Sequence, residues 1–220
     1  MKKENQKNFC ITICLFIAFI VWTTVISCID LRSIGPKGST VGFATFNESF
    51  HEFTGVHMLL YTITDWLGLV PLCFVMGFAV LGLIQLIQRR SLFKVDFGIL
   101  VLGGFYILVM GAYLLFEILA INYRPVLIEG YLEASYPSST TLLTMCVMPT
   151  AIMQLNHLIK NKVMNIVISY TILAFTVFMV GGRLISGVHW FTDIVGGALL
   201  SLGLVMLYHT VTNLIKSKTK

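Results

Sequence analysis

Six long apolar runs, each bounded by short polar segments, account for most of this chain of 220 residues. They extend over Phe9 to Ile29, Trp66 to Gln88, Phe97 to Ile121, Thr141 to Leu158, Val163 to Gly181 and Trp190 to Val211. A helix needs about 20 apolar residues to cross the hydrocarbon core of a bilayer, and every run approaches that length. None alternates apolar with polar residues as a membrane barrel strand does. The pattern predicts an all-α, polytopic membrane helix bundle with about six transmembrane helices, in a single integral membrane domain over residues 1–220. The longest connection, residues 30–64, carries Phe43, Phe46, Phe50 and Phe53 at spacings of three and four, which predicts an amphipathic helix lying in the membrane interface. Such a helix either packs against the bundle or covers a site.

With 57% hydrophobic and 11% charged residues and a mean hydropathy of +0.88, the chain cannot keep its apolar surface from water in a soluble fold. Charge adds a direction. Of the 15 Lys and Arg, Lys2, Lys3, Lys7, Arg89, Arg90, Lys94, Lys160, Lys162, Lys216, Lys218 and Lys220 all fall on one side of six alternating spans. By the positive-inside rule that side, with both termini, is cytoplasmic. These residues read as topology signals and contacts to anionic lipid, and nucleic acid is not an expected partner. Nothing in the sequence points to an oligomeric state. Five cysteines, odd in number and in or beside apolar runs, read as small core residues rather than a disulfide framework. Val25-Ile26-Ser27-Cys28, after a basic start, also reads as a lipoprotein processing site, although the apolar run is long for a cleaved signal.

The same alternation carries residues 121–140 and 182–189 together to the opposite, outer face. The first segment holds Asn122-Tyr123-Arg124-Pro125 and then Glu133-Ala134-Ser135-Tyr136-Pro137-Ser138-Ser139-Thr140; the second runs from Gly182-Arg183 to His189, with Asp193 beyond it. His189 and Asp193 are four apart, so a helix places them on one face, where the carboxylate holds one ring nitrogen and the other faces outward as nucleophile or base. An arginine fork clamps phosphate oxygens, and serines ahead of a helix N-terminus offer hydroxyls and N–H groups to the same anion. No cofactor or metal is expected: His189 and Asp193 are too few for a zinc site, and the cysteines do not complete one.

On these residues the sequence resembles the phosphatidic acid phosphatase type 2 family, membrane lipid phosphatases that share an active-site plan with vanadium haloperoxidases. The resemblance covers the last four runs. The family carries a lysine, six residues, then Arg-Pro; Pro-Ser-Gly-His; and Ser-Arg, five residues, His, three residues, Asp. Here the third motif stands as Gly182-Arg183, His189 and Asp193. The first keeps Arg124-Pro125 with Glu117 in place of lysine, and the second reads Pro137-Ser138-Ser139-Thr140, with threonine in place of histidine. The resemblance implies that residues 117–193 are the catalytic region, that His189 attacks phosphorus to give a phosphohistidine, and that Asp193 orients its ring. It further implies that Arg124, Arg183, Ser138, Ser139 and Thr140 bind phosphate.

The departures bear on activity. The family uses the histidine missing at Thr140 to protonate the leaving oxygen and to activate water, and a threonine hydroxyl cannot replace it as an acid at neutral pH. A substrate whose leaving group is already a stable anion tolerates that loss, which favours a cell-envelope prenyl diphosphate over phosphatidylglycerol phosphate or phosphatidate. Glu117 and Glu133 are candidate proton donors; a salt bridge from Glu117 to Arg124 or Arg183 is the alternative. Asp65 reads as an interfacial N-cap, His51 and His57 as solvated residues or replacement acids, and His157 and His209 as structural. Two rival functions stay open, a non-catalytic lipid-phosphate binding or translocating protein and a lipid phosphotransferase.

Overall fold

With no water to take its backbone hydrogen bonds, a chain in a bilayer closes them within helices. The computed structural model describes residues 2–218, and of residues 2, 3 and 216–218 only the backbone. Lys220 and the side chains of Lys2, Lys3, Lys216 and Lys218, counted in the charge argument, lie outside the described residues. The helices are α1 (Lys2–Cys28), α2 (Ala44–Thr54), α3 (Met58–Leu67), α4 (Leu69–Arg89), α5 (Phe97–Leu119), α6 (Ser139–Leu158), α7 (Lys162–Ile185) and α8 (Phe191–Lys218). Among the described residues five stretches are long and apolar enough to cross a membrane: Glu4–Cys28, Met58–Arg89, Phe97–Leu119, Lys162–Ile185 and Phe191–Ile215. The chain is a multi-pass membrane protein.

The expected six spans are thus five by length and apolarity, and the one that falls short is α6. Its Thr141, Thr144, Thr150 and Gln154 are all buried, because α6 is surrounded by α4, α5, α7 and α8. A helix enclosed by protein has no need of an apolar surface against lipid and carries polar groups that its neighbours satisfy. Gln154 Nε2 donates to the Tyr208 hydroxyl at 2.6 Å and to the Gly98 carbonyl at 3.1 Å.

A second difference lies ahead of the expected span from Trp66. Helix starts at Met58, so α3 takes up residues expected in the connection, and it passes into α4 at Gly68, whose N–H donates to the Thr64 and Asp65 carbonyls. Pro71, three residues on, lacks the N–H that would close the next turn. Helix α2 covers most of the phenylalanine pattern. Phe46 and Phe50 meet Phe191 at the start of α8, each with ring centroids 5.1 Å apart, while Phe53 is exposed.

Helix α1 packs along α8 and brings Phe19 and Ile26 into a core with Leu200 and Leu204. Processing at Cys28 would take this partner from α8. The α1–α3, α5–α6 and α7–α8 connections meet at one end of the bundle. There Gly187 adopts φ +69°, and a Cβ on it would lie 2.0 Å from the Gly55 carbonyl oxygen, so the turn after α7 and the turn before α3 touch backbone to backbone. The His57 N–H donates to the Ser186 carbonyl across the same junction at 2.9 Å.

Candidate active site

The α5–α6 connection is built as a short hairpin. Glu129 and Gly130 both have positive φ, 50° and 84°, the backbone of a tight two-residue turn, and Ile128 and Tyr131 exchange hydrogen bonds across it. Further from the turn the pairing slips by two residues to Tyr123 opposite Ala134, which sets Arg124 N–H on the Glu133 carbonyl at 3.0 Å and Ser135 N–H on the Asn122 carbonyl at 2.8 Å. Residues nine and thirteen apart in sequence are thereby fixed side by side, facing the turn between α7 and α8.

His189 occupies that turn, buried. Its Nδ1 lies 3.0 Å from Ser135 Oγ and 3.9 Å from Asp193 Oδ2. Ser135 donates its single hydroxyl proton to Asp193 Oδ2, so toward the imidazole its oxygen can only accept. Nδ1 therefore carries the ring proton, and Nε2 keeps its lone pair facing Arg124 Nη1 at 3.3 Å. The direct carboxylate–imidazole bond expected from the four-residue spacing is replaced by a serine hydroxyl standing between the two groups. Asp193 itself is fixed by Asn122 Nδ2 at 3.2 Å and by the Trp190 N–H at 2.9 Å, the latter closing the first turn of α8 as a capping box does. Burial first, and then the positive charges of Arg124 and Arg183, hold the protonation of His189 well below the ordinary imidazole value of 6.5. The 3.9 Å approach to Asp193 is thus not a pair of opposite charges.

A cavity of about 220 Å³ opens in front of Nε2, lined among others by His189, Arg124, Glu117, Glu133, Ser135 and Ser139. Arg124 Nε lies 2.9 Å from Glu133 Oε2, an ion pair whose angle is not that of a hydrogen bond, so Nε is a buried donor without an acceptor. Glu117 is exposed on the cavity and has no cation within ion-pair distance among the described residues. The pairings considered for it belong to Glu133 and Asp65.

Arg183 sits differently, in the last turn of α7. Nε and Nη2 both donate to Thr140 Oγ1, at 3.0 and 2.7 Å. Nη2 also meets Asp65 Oδ1 at 2.9 Å, and Nη1 points at the Tyr61 carbonyl and Thr64 Oγ1, each at 3.4 Å. The Tyr61 ring lies 4.8 Å from the Arg183 guanidinium and 6.0 Å from that of Arg124. Asp65 is thus a partner of Arg183 at the end of α3, where an N-cap was expected. Gly182, in the place of the family's serine, accommodates this seam: a Cβ there would stand 2.7 Å from Thr64 Cγ2.

Ser138 spends its hydroxyl on the N-terminus of α6, accepting from Thr141 Oγ1 at 3.1 Å and Thr141 N–H at 3.5 Å. Ser139 lines the cavity, and with Thr140 it opens α6, where N–H groups lack intrahelical partners. His51 meets Trp190 with rings tilted by 57° and centroids 5.5 Å apart, and His57 Nε2 lies 2.9 Å from the Thr54 carbonyl; neither lines the cavity. His157 and His209 line another cavity, of about 540 Å³, between the start of α5 and the ends of α6 and α8.

Three residues of this cluster went unassigned in the sequence, Ser135, Asn122 and Tyr61, and a fourth, Asp65, was read as an N-cap. The Glu-Gly turn at 129–130 marks the hairpin, but its register alone sets Asn122 opposite Pro137, and the two-residue slip that brings Ser135 there leaves no signal in the sequence. Tyr61, Thr64 and Asp65 form a polar stripe at helical spacing that starting the helix at Met58 would have exposed.

A family model described as the PAP2 superfamily matches residues 73–216. Among solved structures the chain is similar to the first transmembrane PAP2 type phosphatidylglycerolphosphate phosphatase from Bacillus subtilis, with a TM-score of 0.62 and 20% identity, over 93% of this chain and 96% of that one. No curated protein matches the sequence.

Proposed function

We propose that this chain, which belongs to the PAP2 superfamily of membrane phosphatases, hydrolyses a lipid diphosphate through a phosphohistidine on His189. One observation carries the reading: Nε2 of a buried, neutral imidazole, its proton committed to the Ser135–Asp193 relay, touches Arg124 Nη1 at 3.3 Å beside a small cavity, and the same guanidinium has an unsatisfied Nε donor. Pure anion binding needs the arginines but neither the nucleophile nor its relay.

The Nε2 lone pair attacks phosphorus, and the bond to the leaving oxygen breaks with its electrons on that oxygen. Arg124, Ser139 and the first N–H groups of α6 take the charge spread over the equatorial oxygens. A water oxygen then attacks phosphorus, the P–N bond breaks back to Nε2, and the water proton passes to Glu133 or Glu117, both on the cavity. Thr140 occupies the position of the family's acid without being one, and its hydroxyl accepts from Arg183. A leaving group that is itself a phosphate departs without a proton, so a prenyl diphosphate suits the site better than phosphatidylglycerol phosphate, the substrate named for the similar Bacillus protein, or phosphatidate. No metal is required by this scheme.

The single membrane domain is read as crossing six times, with α6 as the sixth, central span. The α4–α5 and α6–α7 turns carry Arg89, Arg90, Lys94, Lys160 and Lys162, so that end is cytoplasmic, the His189 end faces outside and α2 lies in the outer interface.

The test is phosphate release by detergent-purified protein from a prenyl diphosphate, phosphatidylglycerol phosphate and phosphatidate, beside His189→Ala. Release should fall by at least about a thousandfold in the variant and rank in that order. Absence of release above the variant from any lipid points to a binding or translocating protein. Loss of lipid phosphate without free phosphate points to transfer onto another acceptor.

A further inference from the structure

The two arginines expected to grip one phosphate are in different states. Every one of the five N–H donors of Arg183 has a protein acceptor within 3.4 Å: Thr140 twice, Asp65, Thr64 and the Tyr61 carbonyl. Arg183 cannot add a phosphate oxygen without letting one of these go. Thr140 is anchored in the first turn of α6, and the Tyr61 carbonyl belongs to the backbone of α3. Asp65 is the partner able to leave: its side chain is 56% exposed where that of Arg183 is 2% exposed. A carboxylate released there enters water at little cost, whereas the buried guanidinium needs an anion in its place.

The surroundings suit such an exchange. Asp65 and Thr140 line a cavity of about 300 Å³ whose other walls include Leu72 and Met110, and which shares Tyr113, Ser139 and Leu142 with the cavity in front of His189. A lipid headgroup can therefore approach Arg183 past Asp65 while its apolar part stays against leucine and methionine.

We propose that Asp65 is a resident counter-anion on Arg183, which the phosphate of the substrate must displace, and that it thereby sets the affinity of the site for phosphate. This rests on the proposed hydrolysis at this site and on Arg183 being a phosphate ligand, as the family resemblance implies. Asp65 keeps the buried arginine neutralised while the site is empty and competes with weakly held anions. It is a positioning and selectivity residue and touches no reacting atom.

The experiment measures inorganic phosphate binding, without turnover, by calorimetry on detergent-purified protein. Asp65→Asn keeps an acceptor for Nη2 but removes the competing charge, and should bind phosphate about three- to tenfold more tightly than the native chain. Adding Arg183→Lys should cancel the gain. Equal or weaker binding by Asp65→Asn overturns the proposal and makes Asp65 a structural support of the arginine. Should that variant not fold, hydrogen exchange on the native protein decides: saturating phosphate should speed exchange of the last-turn amides of α3, and unchanged or slower exchange overturns the idea. Tighter phosphate binding with no release from any lipid would sink hydrolysis and leave the counter-anion standing; release with weaker binding would do the reverse.

Discussion

Arg124 and Arg183 bear the same guanidinium at the two sides of one site, yet the hairpin that carries the first and the helix seam that carries the second solve opposite problems. On the hairpin, Arg124 meets a neutral imidazole and a half-exposed carboxylate, and one buried N–H goes without an acceptor. At the α3–α7 seam, Arg183 is wholly enclosed by acceptors. Each guanidinium is paired with one carboxylate, but only Arg124 keeps a buried N–H open to a further anion. Identity in sequence therefore says little about readiness to bind.

Removing each arginine in turn breaks this contrast most sharply. Arg124→Ala should lower kcat/KM by about 10² to 10³, the usual cost of one transition-state donor, while moving the unfolding midpoint by less than about 2 °C. Arg183→Ala should cost a similar factor in rate and, in addition, lower the midpoint by several degrees, because a buried charged hydrogen-bond set worth about 1–3 kcal/mol goes with it. Paired activity and thermal-unfolding measurements check both. Equal midpoints would remove the distinction between a poised and a saturated arginine.

A smaller effect sharpens the hairpin half alone. Ser135→Ala leaves His189 Nδ1 and Asp193 Oδ2 3.9 Å apart with nothing between them, so the ring loses its fixed tautomer and angle. The expected loss is about 10- to 100-fold in kcat with KM unchanged, the scale of a misplaced reacting group. Ser135→Thr, which keeps the hydroxyl, should recover most of it. An unchanged kcat in Ser135→Ala would mean that Asp193 orients the imidazole without the hydroxyl.

Much of this arrangement was legible in the sequence, and the rest was hidden for identifiable reasons. The apolar runs mark helices because a bilayer admits no other fate for them, and basic residues mark one end. His189, Asp193, Arg124 and Ser139 come together because the helices alternate in direction, a topological consequence of the spacing of the runs. Helix α6 misleads because its neighbours, and not lipid, surround it. Thr140 reads as the loss of a catalyst, and only its distance to Arg183 reveals what the hydroxyl does instead. Asp65 and Tyr61 escape because α3 begins eight residues before the apolar run becomes continuous, which hides the face they share. Ser135 escapes because a hydroxyl between His189 and Asp193 leaves no trace in their spacing.

The finest difference between the two halves is carried by His189 itself. Burial, Arg124 and Arg183 all disfavour its protonated form, in that order, so the imidazole stays neutral below its ordinary value of 6.5. Since the nucleophile must be unprotonated, the acid limb of kcat/KM should lie well below pH 6.5 in the native chain. Arg124→Ala removes the nearer charge and should move that limb upward, toward 6.5, whereas Arg183→Ala should move it less, because Arg183 is the weaker of the two influences and Asp65 already opposes its charge. Stability follows the same sign. The unfolded chain accepts a proton near 6.5 that the folded site refuses, so this group costs stability as pH falls below 6.5 and contributes nothing above it. Rate profiles and unfolding midpoints across that window read both effects, and equal shifts from the two arginine variants would show that the imidazole does not distinguish the guanidinium it touches from the one beyond it.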